Sequence, residues 1–174
     1  MDQTFGGNAM KINIDLSCLG DGERFQNERY GGIIYAPFNL LIGGKAYPAP
    51  DWEDYPIVNL LSWAEQILLN GEDFCSQVFP LMDDAWEMRW QDCDLECQCG
   101  TLYMIHRGLE VILWSEPNYF LKDFAKEILT AINFIIESLE KFSANGKREP
   151  SETIQNLKIS AVGLSTWMKD HGLT

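Results

Sequence analysis

Between Trp86 and Trp114 the apolar residues recur at every second position in three successive runs. Trp86, Met88 and Trp90 alternate with Glu87, Arg89 and Gln91; Cys97, Cys99, Thr101, Tyr103 and Ile105 share one phase; Leu109–Trp114 forms a third run after the turn signal Arg107-Gly108. A period of two sends alternate side chains to opposite faces of a strand. Strands this close in sequence, with Asp92–Asp94 as one of the turns, predict an antiparallel meander.

The flanking segments set what the meander packs against. Upstream, Lys11–Cys18 alternates with Ile12, Ile14, Leu16 and Cys18 in one phase. Gly32–Ile42 carries Ile34, Ala36, Phe38, Leu40 and Ile42 on one face, then turns through Gly43-Gly44 into Lys45–Tyr47. Pro37 removes a ladder donor and belongs at an edge or bulge. Leu19–Arg29 reads as a loop, and Phe74–Leu81 is ambiguous between strand and coil. Ile57, Leu60, Leu61, Ala64, Ile67 and Leu68 recur at helical spacing, with Asp54 as the expected cap, Pro56 in the first turn and Asn70-Gly71 as the stop. Downstream, Ser115-Glu116-Pro117 predicts the start of a long helix reaching about Phe142. A polar linker at 143–150 precedes a last helix with Ile154, Leu157, Ala161, Leu164 and Met168 on one side. Strands grouped ahead of helices predict an α+β fold, an antiparallel sheet of five to six strands with helices mainly on one face.

At 174 residues and 46% hydrophobic content the chain can bury one substantial core. The expected organisation is a single domain over 10–174, with 1–9 a dispensable tail or tag. Those first residues carry no basic n-region and no apolar h-region, and no apolar run approaches the length of a membrane span. The expected location is cytoplasmic.

Charge separates the function classes. The net charge is −13, and its distribution is uneven. From Ala46 to His106 twelve acids face one base, Arg89, a net −11 against −2 for the rest of the chain. Such a field repels nucleic acid and anionic membranes and attracts cationic proteins. Soluble surfaces ordinarily mix signs, so sixty residues almost without Lys or Arg favour a binding face over a merely solvated one. Aromatic residues interleave with these acids, as buried anchors do at protein interfaces. The expected partner-binding residues are Asp51, Trp52, Glu53 and Asp54; Asp83, Asp84 and Glu87; and Asp92, Asp94 and Glu96. At least two of these three clusters are expected to share an exposed face. Trp86 and Trp90 are expected on the core side of the sheet.

Catalytic patterns are missing. The two histidines, His106 and His171, lie in no nucleophile context, and no G-x-S-x-G elbow is present. Gly43-Gly44-Lys45 lacks the spacing and the hydroxyl of a phosphate loop. Five cysteines, an odd number with three clustered, point to reduced thiols rather than a secreted disulfide framework. Cys93, Cys97 and Cys99 leave a metal- or thiol-dependent enzyme as an alternative, although tetrahedral zinc wants a fourth ligand. No cofactor, metal or catalytic residue is expected under the leading reading. A non-inhibitory adaptor or self-associating structural subunit is the other alternative, and the leading reading allows a weak homodimer.

The segment Phe38–Trp63 joins a strand, a glycine turn, an aromatic-proline pair and W-E-D-Y-P ahead of a helix bearing a tryptophan. In this it resembles bacterial immunity proteins of polymorphic toxin systems, including those of contact-dependent growth inhibition. The resemblance implies a non-enzymatic protein that binds and neutralises a cognate toxin domain, often a nuclease. A nuclease has a cationic substrate channel, which an acidic inhibitor complements.

Overall fold

The computed structural model describes residues 10–20, 25–26, 33–81, 86–109, 111–144 and 151–172. The α+β class is as expected, but the strands divide between two main sheets. In the first, β1 (Lys11–Ile14) pairs antiparallel with β4 (Ala36–Ile42), which also pairs with β5 (Lys45–Tyr47) and with the two-residue β6 (Glu53–Asp54). A short β2 (Phe25–Gln26) pairs with β3 (Ile33–Ile34), inside and beside what the sequence suggests is loop. The second sheet has the order β10-β9-β8-β7, with β7 at Val78–Pro80, β8 at Trp86–Asp94, β9 at Cys99–His106 and β10 at Val111–Phe120. The three expected meander strands are β8, β9 and β10, and the ambiguous Phe74–Leu81 segment resolves into a 3-10 turn (Gly71–Ser76) followed by β7.

Three helices are described: α1 (Pro56–Asn70), α2 (Leu121–Ala144) and α3 (Ser151–Asp170). Two helix starts differ from expectation. The cap position of α1 is Tyr55, and no side chain caps it. The expected helix start at Ser115–Pro117 is strand instead, since β10 continues to Phe120. Proline is tolerated there because β10 is an edge strand and the register slips between Glu116 and Tyr119, with Asn118 at φ +56°. Gly43 and Gly44, at φ +56° and +81°, make the expected tight turn between β4 and β5.

One aromatic chain fuses the layers. Phe38 of β4 meets Trp63 of α1, Trp63 meets Phe124 of α2, and Phe124 meets both Phe79 of β7 and Trp90 of β8, all at ring separations of 5.1–5.7 Å. Tilted and edge-on contacts of this kind add to the burial term. Both tryptophans place their polar edge on a backbone acceptor: Trp63 Nε1 donates to the Pro80 carbonyl at 2.8 Å and Trp90 Nε1 to the Tyr119 carbonyl at 3.3 Å. The face Ile34, Ala36, Phe38, Leu40, Ile42 is wholly buried, as its alternation predicts. Helix α3 closes the far side against α1. Gly71 there is right-handed, so it serves for space rather than conformation: a Cβ would stand 3.1 Å from the Trp167 indole.

Candidate partner-binding surface

The acids of the middle third separate into structural and surface groups. Glu87 belongs to the structural one. Its neighbours Met88 and Trp90 are buried among the core residues, but Glu87 is itself only 2% exposed. Its carboxylate contacts Arg89, two residues along the same strand face, and accepts from Arg107 Nε at 3.0 Å. Sequence alone groups Glu87 with the partner-binding acids. The structure corrects this, because two guanidinium groups cover and neutralise it. Arg89, the lone base of the acidic segment, is thereby committed to Glu87.

Asp54 is corrected in the same way. It is buried, and its Oδ1 accepts the Tyr55 backbone N–H at 2.7 Å just ahead of α1. The segment leading to it is bolted to β4. Phe38 N–H donates to the Trp52 carbonyl at 2.9 Å, and Asn39 Nδ2 donates to the Pro50 carbonyl at 3.2 Å. Trp52 is half-buried and packs on the core, so its ring is not a free-standing anchor. Glu53 is partly buried in β6, and Asp51 is exposed. Asp83 and Asp84 lie outside the described residues, as do 1–9 and 145–150.

The third cluster forms a surface. Asp92, Asp94 and Glu96 are all exposed where β8 turns into β9. A bulge between Gln91 and Asp94 holds Asp92 at φ +51°, a conformation aspartate tolerates better than most residues. Asp94 Oδ1 accepts from the Glu96 N–H at 2.9 Å and the Cys97 N–H at 3.3 Å, which shapes the turn. Leu95 stands 59% exposed between two of the acids. The far side of the turn is pinned where Leu121 N–H, opening α2, donates to the Gln98 carbonyl at 2.9 Å. Lys122 arrives with it, its ammonium 5.0 Å over the Phe120 ring.

The structure adds two acids that the expected site omits. Cys75 and Cys93 are disulfide-bonded, with Cα atoms 6.2 Å apart. This link carries the exposed pair Glu72-Asp73 of the 3-10 turn to the base of the hairpin. Five exposed carboxylates thus lie around one end of the second sheet, Glu72 and Asp73 on the 3-10 turn tied to Cys93 and the other three on the hairpin turn. A disulfide partner cannot be read from cysteine spacing alone, so the sequence held no signal for this grouping.

Cys97 and Cys99 form a second disulfide within the turn. The expectation of reduced thiols therefore does not describe these four residues, and the side chain of Cys18 lies outside the description. The two pairs occupy opposite faces of β9. A Cβ on Gly100 would lie 3.1 Å from Cys93 Sγ, so Cys93 covers the face of residue 100, while residue 99 points the other way. One tetrahedral ion could not take sulfur from both faces of a strand, and among the described residues no group of three or more His, Cys, Asp or Glu is placed to hold a metal. No described helix is long and apolar enough to cross a membrane.

No protein-family model, curated protein or solved structure matches this chain.

Proposed function

We propose that this protein is an immunity protein that binds a cationic toxin domain, a nuclease, and inhibits it stoichiometrically rather than by turnover. The observation that carries this reading is the hairpin end, where Glu72, Asp73, Asp92, Asp94 and Glu96 are exposed together while Arg89 is turned to Glu87. A concentrated field of one sign speeds encounter with a basic partner, and its reach in 0.1 M salt is roughly 10 Å. Leu95 supplies an apolar contact at the centre of that field, the arrangement in which a desolvated anchor is ringed by charge. The resemblance of Phe38–Trp63 to immunity proteins supports the same class of partner.

The test is a titration of purified basic nuclease toxin domains with the full chain. The proposal expects nuclease activity to fall to background at one molar equivalent with a cognate domain, and the neighbouring open reading frame to encode a toxin-like C-terminus. Inhibition that never saturates, or absence of binding to any toxin domain encoded alongside, contradicts it.

A self-associating subunit is the second reading, favoured by Leu69, Ile159 and Val162, which are 71%, 70% and 67% exposed on α1 and α3. Light scattering across concentration separates it from the first.

A further inference from the structure

We infer that Cys97–Cys99 is a reversible dithiol–disulfide couple at the tip of the acidic hairpin, exchanging with neutral dithiols, while Cys75–Cys93 is the lasting structural tie. The two pairs differ in what they close. Cys75–Cys93 spans a sequence separation of 18 and joins two elements, whereas Cys97–Cys99 spans a separation of 2. The longer closure restricts far more of the unfolded chain, so the shorter one gains least from folding.

They differ in access as well. Cys75 and Cys93 are half-buried and pack against the core, while Cys97 is exposed on the turn. Gln98, enclosed between the bonded cysteines, is held at φ +51° without being glycine. That backbone costs energy, in a turn held as well by Asp94 and by the Leu121 N–H on the Gln98 carbonyl. An exposed disulfide closing a strained loop is the more readily reduced kind.

One thiolate of an external dithiol attacks Cys97 Sγ, the Cys97–Cys99 bond breaks, and Cys99 leaves as a thiolate that takes a proton. The second thiol of the reductant then attacks its own sulfur in the mixed disulfide and releases Cys97. The protein gains two electrons and two protons, and the dithiol becomes a disulfide. The carboxylates of Asp94 and Glu96, which flank Cys97 on the turn, repel anionic thiols. An uncharged dithiol is therefore its preferred reductant over the anionic glutathione. None of this rests on the identity of a binding partner.

The experiment uses the oxidised full chain, equilibrated in buffers of reduced and oxidised dithiothreitol, acid-quenched, alkylated and mapped by mass spectrometry. Cys97 and Cys99 should become half-alkylated at a reduced-to-oxidised ratio at least about tenfold lower than Cys75 and Cys93, which at two electrons is about 30 mV. Returning the reduced protein to excess oxidised dithiothreitol, which takes up the two electrons and two protons, should restore the same pairing. A parallel series with the Cys75→Ser, Cys93→Ser double variant should leave the Cys97–Cys99 midpoint in place. Opening of Cys75–Cys93 first, simultaneous opening of both pairs, reoxidation to scrambled pairs, or free Cys97 and Cys99 thiols in the oxidised protein would each overturn the inference.

Discussion

Arg107 Nε donates to Glu87 Oε2 at 3.0 Å, and this one ion pair divides the acidic segment into carboxylates that build the fold and carboxylates that face outward. Glu87 is 2% exposed, but its two arginines are about half exposed, so water screens much of the pair. Arg107→Ala should lower stability by about 1–2 kcal/mol, because it strips a donor from a buried carboxylate. Denaturant titration measures the loss. Binding to a cationic partner should be unchanged, since Glu87 takes no part in the outward field.

Trp63 is the joint of the core. It touches Phe38 and Phe124 and donates to Pro80, so it ties both sheets to α1 and α2. Trp63→Phe should cost about 2–4 kcal/mol from the residual cavity together with the lost hydrogen bond. A calorimetric melt should show one lowered transition, because the same core runs through both sheets.

Two glycines should respond oppositely to alanine. At Gly163 the new Cβ would meet Leu68 Cδ1 at 2.9 Å, the tip of a partly exposed flexible side chain that can swing away. Gly163→Ala should therefore be neutral or stabilising by up to about 1 kcal/mol through helix propensity. At Gly100 the same atom would meet the Gln91 carbonyl at 2.9 Å and Cys93 Cα at 3.2 Å, and backbone has no such freedom. Gly100→Ala should destabilise by about 1–3 kcal/mol. Equilibrium unfolding of the two variants gives the comparison directly.

This contrast also marks what the sequence could show. The face from Ile34 to Ile42 announces its burial by alternation, and the meander announces itself by three runs of period two. The helix start at Ser115–Pro117 misleads because cap-like residues can equally sit at a bulge of an edge strand, where tertiary pairing decides. The two-sheet division has no local signal, since it is set by which strands pair. Among the candidate binding residues, Asp92, Asp94 and Glu96 face solvent. Asp54 and Glu87 look the same in sequence and are buried, because a carboxylate's burial is set by the donors that reach it. Glu72 and Asp73 reach this end of the sheet through the β7–β8 pairing, the Phe74–Trp90 contact and a cysteine pairing that spacing does not reveal.

Glu127 gives a pH signature. Burial pushes its carboxyl above the ordinary range, opposed by a backbone hydrogen bond from Ile12 and by Lys11 and Lys126, with Asp123 adding to the rise. Its folded pKa thus exceeds its unfolded one, so the folded state holds the proton more readily. Stability contributed by this group is present below the unfolded pKa and is lost as pH rises through the folded one. Glu127→Gln should raise stability at neutral pH and flatten the decline just above the ordinary glutamate pKa. Urea midpoints measured from pH 4 to 7 for both proteins test this sign.

The hairpin end is the proposed binding face. It is tested most directly by the affinity of a cationic nuclease toxin domain across a salt series, for the unaltered chain and for a variant combining Glu72→Gln, Asp73→Asn, Asp92→Asn, Asp94→Asn and Glu96→Gln. Asparagine at position 94 keeps the acceptor that shapes the turn. The prediction is an affinity that falls at least about tenfold between 50 and 300 mM salt, and a variant that binds at least about tenfold more weakly at low salt with a flattened salt dependence. Equal affinities and equal salt slopes for the two proteins would contradict it.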